Sequence, residues 1–242
     1  MTPPSEYGSQ ADPAKEIVLP DHLRYIVIEG VIGAGKTTLA RLFCERFNGR
    51  LVLEEFEQNP FLERFYQDPP RWSFQTQLSF LASRFRQQKR MLDRDLFQRI
   101  VVSDYAFDKD RIFAHLNLEG DELRLYESLY LLMQPATPRP DLIIYLQSTT
   151  ERLLSNIKMR GRSYEENMRR EYIESLNDAY NYYFFRYTQS PLLIINATEI
   201  DFVRNSNELE DLLHQVVSMK HQGTTYFNPE RRPLGESQRN DT

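Results

Sequence analysis

The sequence predicts an α/β fold: a doubly wound, five-stranded parallel sheet with helices on both faces. Three observations carry this. Short apolar runs without polar alternation recur along the chain, as expected of strands covered on both sides. Helical periodicities separate these runs. A glycine-rich turn stands directly between the first run and the first helical pattern.

Tyr25-Ile26-Val27-Ile28 is the first run, and the pattern beyond the turn places Leu39, Leu42, Phe43 and Phe47 at helical spacing. Leu51-Val52-Leu53, Ile100-Val101-Val102, Leu142-Ile143-Ile144-Tyr145-Leu146 and Leu192-Leu193-Ile194-Ile195 supply four more strands. From Trp72 to about Leu92, Phe74, Leu78, Leu81, Phe85 and Leu92 follow a helical period, and so do Leu125, Leu129 and Leu132 between Asp121 and Met133. Strands alternating with helices imply right-handed crossovers, and ligands of such sheets bind at the carboxyl ends of the strands.

With 242 residues, 40% of them hydrophobic, the chain can bury one ample core. The expected layout is one domain over 23–222 between polar, proline-bearing flexible tails at 1–22 and 223–242. Thirty Lys and Arg against 35 Asp and Glu leave a net charge of −5, which argues against polymeric nucleic acid or an anionic membrane as partner and points to a small ligand. A single cysteine, Cys44, leaves no disulfide framework. No apolar stretch has the length of a signal sequence or of a membrane helix, roughly 20 residues. A cytoplasmic protein is the expectation.

Gly30-Val31-Ile32-Gly33-Ala34-Gly35-Lys36-Thr37 fits G-x-x-x-x-G-K-[ST] in the strand–loop–helix context the motif requires. Backbone N–H groups from Gly30, Gly33, Ala34 and Gly35 can wrap a β-phosphate at a helix N-terminus. Lys36 supplies a point charge to the β- and γ-phosphates, Thr37 offers its hydroxyl to Mg²⁺, and Thr38 follows in the same phosphate-binding set. ATP with Mg²⁺ is the ligand so predicted. The sequence has no N-K-x-D guanine-reading motif and no transporter signature.

Glu54 ends the second expected strand and Asp104 the third, so both carboxylates should emerge beside the phosphate loop. Phosphoryl transfer to an alcohol needs an acceptor for the hydroxyl proton and a held Mg²⁺. One acid can serve as base and the other as metal partner, with Glu55 and Glu57 as rivals to Glu54. Gln77 and Arg84, seven apart, share a helix face. Arg160 and Arg162 flank Gly161, where a short lid could close over ATP and stabilise charge on the transferring phosphoryl group.

Leu53-Glu54-Glu55-Phe56-Glu57-Gln58-Asn59-Pro60-Phe61-Leu62, Phe65-Tyr66-Gln67-Asp68, Trp72-Ser73-Phe74 with Gln77 and Arg84, and Arg160-Gly161-Arg162 occur in collinear order over roughly residues 24–200. In these the chain resembles the deoxynucleoside kinase family, most closely the bacterial branch that includes deoxyadenosine and deoxyguanosine kinases. The resemblance implies that Glu54 is the general base for the 5'-hydroxyl and that Asp104 helps hold magnesium. It further implies that Tyr66 and Glu165 bind the 3'-hydroxyl, that Gln77 bonds the base edge, and that Arg84 with Asp110 closes the far side of that pocket. It also implies a homodimer built from the helices around 72–92 and 121–133, and a purine substrate, deoxyadenosine before deoxyguanosine. A glutamine amide by itself can read cytosine, adenine or guanine.

The chain departs from the family in three places. Many members carry Arg directly after the acid ending the third strand, where this chain has Tyr105. The animal enzymes' Glu-Pro is Glu54-Glu55, and their tryptophan five residues on is Asn59. An additional lid arginine of some members is Asn156. Two other functions fit parts of the pattern: a nucleoside monophosphate kinase, which needs cations for a second phosphate near the acceptor pocket, and a noncatalytic nucleotide-binding subunit.

Overall fold

The computed structural model describes residues 17–91, 99–162, 165, 168–203, 205–219 and 222–229. In chain order the elements are β1 (Tyr25–Gly30), α1 (Lys36–Phe47), β2 (Arg50–Val52), α2 (Leu62–Gln67), α3 (Pro69–Met91), β3 (Val101–Ser103), α4 (Lys109–Asn117) and α5 (Gly120–Met133). There follow β4 (Leu142–Gln147), α6 (Thr150–Arg160), α7 (Arg170–Phe184), β5 (Leu192–Asn196), α8 (Ser206–Ser218) and β6 (Thr224–Phe227). Leu92, expected in the helix that is α3, lies outside the described residues.

All strands are parallel, in the order β2-β3-β1-β4-β5-β6. β1 sits between β3 and β4, with Tyr25 opposite Val101 and Ile26 opposite Leu142. The strand order reverses beside β1, so the crevice of a doubly wound sheet opens at its carboxyl end. Among the described residues, six strands replace the five expected. The sixth, Thr224–Phe227, pairs with β5 and falls where a flexible tail was expected. Its residues alternate between exposed and half-buried, as an edge strand does, and its polar sequence hides it from an apolar-run criterion. The other expected tail, at 1–22, also contributes: Ile17 is buried in the core and Leu19 packs against it.

β1 is buried along its whole length because its two faces enter two different cores. Ile26 and Ile28 join Leu39, Phe43, Ile144, Leu193 and Leu212 under α1 and α8. Tyr25 and Val27 join Ile143, Tyr145, Leu153, Ile173 and Tyr180 under α6 and α7. Each fully buried aliphatic chain here contributes about 1.5–3 kcal/mol. A third cluster forms where α3, α4 and α5 meet, around Leu81, Ala114, Tyr126 and Tyr130. On α5 the tyrosines point inward, while Leu125, Leu131 and Leu132 are at least half exposed.

Candidate active site

The chain turns out of β1 through Val31–Gly35 and enters α1 at Lys36. Gly33 has φ 86°, and a Cβ there would lie 2.7 Å from the carbonyl oxygen of Leu153 in α6, so both backbone sign and space demand glycine. Asn156 Nδ2 donates to Gly33 O at 2.8 Å and fastens the loop to the same helix. Here the asparagine that departs from the lid arginine of some relatives has a structural task. Lys36 Nζ donates to Gly30 O and Val31 O at 2.8 and 3.0 Å.

Burial, then repulsion from Lys109, pushes the Lys36 ammonium down to about 8, with Glu29, Glu54 and Asp104 partly opposing. Nucleotide phosphates need this group charged. Affinity for a nucleoside triphosphate, titrated calorimetrically between pH 6.5 and 9, is therefore expected to weaken as pH rises through about 8. A flat profile would mean that the ammonium stays protonated across this range or takes no part in phosphate binding, and Lys36→Met would separate the two.

Asp104 joins the phosphate loop to the acceptor side. Its Oδ2 accepts from Thr37 Oγ1 at 2.5 Å, and its Oδ1 accepts from the Glu54 N–H at 2.8 Å. The link is possible because β2 and β3 are neighbours, with Val52 opposite Ser103. A hydroxyl and a carboxylate in contact at the head of α1 suit a Mg²⁺ that takes few protein ligands and completes its shell with phosphate and water. Among the described residues there is no cluster of three or more His, Cys, Asp or Glu side chains able to hold a metal alone.

Glu54 lies two residues beyond β2, largely buried, with both carboxylate oxygens engaged. Arg84 donates to Oε1, and Lys109 Nζ lies 2.5 Å from Oε2. Arg84 also pairs with fully buried Asp110. Burial alone would raise the Glu54 carboxyl, but Lys109, Arg84 and Lys36 outweigh it and hold the group far below the usual carboxylate range. Glu54 is thus fully ionised at neutral pH. Buried charges persist only where such partners exist.

The cleft beyond Glu54 is lined by Tyr66, Gln77, Phe80, Phe113, Tyr172 and Glu165, and the same cleft holds Lys36, Thr37, Asp104, Arg84, Arg160 and Arg162. Gln77, on α3, is buried, and its Oε1 has no hydrogen-bond partner among the described residues, as a group reserved for a ligand would have. Thr149 caps the start of α6, accepting from Arg152 N, and Gly161 ends the helix at φ 63°, so Arg160 and Arg162 leave it on either side of a left-handed turn. Arg160 grips Glu165 with two donors, at 2.5 and 3.2 Å. Arg162 stands 3.7 Å from the same carboxylate, and its guanidinium lies 4.3 Å from the centre of the Phe56 ring.

Ten of the side chains expected at the site therefore share one cleft. Asp110 is not on its wall; it reaches the cleft through Arg84, behind which it is buried. Thr38 is exposed on the first turn of α1 and does not line the cleft. Glu55 and Glu57, the rivals to Glu54, also stay outside the lining. Asn59 serves the framework: Nδ2 donates to Thr76 O at 3.0 Å and Oδ1 accepts from Phe61 N at 3.0 Å.

Two charged residues escaped the sequence reading. Glu29, fully buried near the end of β1, accepts from the N–H of Gly30 at 3.0 Å and of Ala106 at 2.6 Å; burial raises its carboxyl despite Lys109 and Lys36. An acid inside an apolar strand was the available signal. Lys109 follows Asp104 by five residues, in the loop-to-helix turn after β3, but stands between Asp108 and Asp110 and reads as solvated surface.

Residues 26–221 match the family model described as deoxynucleoside kinase. The chain is 32% identical over 203 residues to the deoxyadenosine/deoxycytidine kinase of Bacillus subtilis, covering 81% of this chain and 93% of that protein. It is 34% identical over 197 residues to the deoxyguanosine kinase of the same bacterium, covering 79% and 95%. The solved structure of a deoxyadenosine kinase from M. mycoides with dCMP and dCDP bound superposes with TM-score 0.71 at 27% identity, over 81% of this chain and all of that one.

Proposed function

The chain belongs to the deoxynucleoside kinase family, whose members are phosphotransferases, and from that premise we propose that it moves the γ-phosphoryl group of ATP to the 5'-hydroxyl of a purine deoxyribonucleoside. Deoxyadenosine is the first substrate of this reading and deoxyguanosine the second. The observation that carries it is the position of Glu54: an ionised carboxylate between the phosphate loop and an aromatic-lined cleft.

Glu54 is the base that receives the 5'-hydroxyl proton. Lys36 and the loop N–H groups hold the donor phosphates, and Arg160 and Arg162 meet the charge that spreads over the transferring group. Thr37 and Asp104 would hold Mg²⁺, which would supply charge neutralisation at the phosphate oxygens. Tyr66 and Glu165 take the 3'-hydroxyl, Gln77 takes the base edge, and Arg84, anchored by Asp110, closes the pocket and steadies Glu54.

A cytoplasmic homodimer completes the proposal. The exposed Leu125, Leu131 and Leu132 of α5 support the dimer, and no helix among the described residues is long and apolar enough to cross a membrane.

Transfer of labelled γ-phosphate from ATP with Mg²⁺ to the four deoxynucleosides, with adenosine and dAMP as controls, tests the proposal. A 5'-monophosphate from deoxyadenosine or deoxyguanosine is expected; product from dAMP alone would make the protein a monophosphate kinase. In the same panel, Gln77→Ala is expected to raise KM for the preferred nucleoside by about 10- to 100-fold and to narrow discrimination between bases, since a buried amide contact is worth about 1–3 kcal/mol. Unchanged selectivity would place base reading elsewhere.

A further inference from the structure

Lys109 has no part in the roles assigned so far. It opens α4, is 5% exposed, lies 2.5 Å from Glu54 Oε2, and has its ammonium 5.6 Å from the centre of the Phe113 ring. It also lines the cleft together with Lys36 and the two lid arginines, close enough to Lys36 to depress that ammonium. The lining carries five cations, Lys36, Arg84, Lys109, Arg160 and Arg162, against three carboxylates, Glu54, Asp104 and Glu165, an excess that suits an incoming anion.

The anion that passes this point is the transferring phosphoryl group. The donor phosphates belong at Lys36 and the 5'-oxygen at Glu54, so the group crosses the gap between two residues that Lys109 faces together. Tyr105, which stands where many family members carry an arginine, does not line the cleft; its ring is wholly buried, 5.9 Å from the Arg84 guanidinium. The cation arrives instead from the next helix.

Resting on the deoxynucleoside kinase reading, we propose that Lys109 is a catalytic residue whose ammonium leaves Glu54 to contact a nonbridging oxygen of the transferring phosphoryl group. The 5'-oxygen bonds to the γ-phosphorus. The bond from that phosphorus to the bridging oxygen breaks, its electron pair leaving on ADP, and the hydroxyl proton ends on Glu54. Lys109 stays protonated throughout. The oxygens of the transferring group compete with Glu54 for the ammonium as they enter the gap, before the hydroxyl proton reaches Glu54.

The test compares kcat and KM of the unchanged protein, Lys109→Met, Lys109→Arg, Glu54→Gln and the Glu54→Gln/Lys109→Met double variant, with ADP affinity and thermal unfolding to show that each variant is folded. Lys109→Met is expected to lower kcat by about 100-fold or more with both KM values within a few fold, and Lys109→Arg to recover much of the loss. In the Glu54→Gln background the same substitution should still cost tenfold or more, because its target is the phosphoryl group. An unchanged kcat overturns the proposal, and so does the absence of further loss in that background, which would make Lys109 a positioning residue for Glu54. Failure of the unchanged protein to phosphorylate any deoxynucleoside would instead overturn the functional reading itself.

Discussion

Glu54→Gln is expected to lower kcat for deoxynucleoside phosphorylation by about 100- to 10,000-fold, the range that general-base catalysis contributes, while ADP affinity stays within a few fold. The substitution keeps the size of the side chain and an oxygen for Arg84. It removes the only property the mechanism needs, a charge able to take a proton. Arg84 retains Asp110, so the buried cluster keeps an anion. The low basicity of Glu54, set against burial by Lys109, Arg84 and Lys36, fits phosphoryl transfer, whose loose transition state asks the base for little until the new bond is well formed. Steady-state kinetics with calorimetric ADP titration checks the prediction. Turnover equal to that of the unchanged protein would take Glu54 out of the mechanism.

Joint replacement of Arg160 and Arg162 by alanine is expected to cost 1,000-fold or more in kcat, the scale on which arginines that meet a transferring phosphoryl group act. The single variants should differ. Arg160 grips Glu165 through two hydrogen bonds, whereas Arg162 is farther from that carboxylate and rests on Phe56. Arg160→Ala is thus expected to lower kcat and also raise KM for the nucleoside, because Glu165 loses the partner that orients it. Arg162→Ala should lower kcat with KM nearly unchanged. A nucleoside KM left unchanged by Arg160→Ala would mean that Arg160 does not orient Glu165 for reading the sugar.

Four of the five strands legible in the sequence lie inside the sheet, where an apolar run is favoured on both faces, and β2, at one edge, still carries the run Leu51-Val52-Leu53. β6 was illegible because an edge strand with one wet side needs no such run. α5 was legible as a helix from Leu125, Leu129 and Leu132, but nothing in that spacing told that Tyr126 and Tyr130 would be the buried side and Leu125 and Leu132 exposed. At the site, strand-end logic found Glu54 and Asp104, and collinear motifs found Tyr66, Gln77 and Arg84. Asp110 and Lys109 show the limit. Adjacent in sequence, both charged and both buried, they are told apart only by what they touch: one stands behind Arg84, the other faces Glu54 from inside the cleft.

The central position of β1 bears on how the chain acquires its form during synthesis. The strand that carries the phosphate loop is made early, yet its hydrogen-bonding neighbours are residues 101–103 on one side and 142–146 on the other. Parallel partners cannot be reached by a tight hairpin and must await a crossover. The cradle therefore cannot exist until residues 142–146 have left the ribosome, and the closure of those long loops is the slow part of assembly. A nascent fragment ending before β4 has the G-x-x-x-x-G-K-[ST] sequence without its shape.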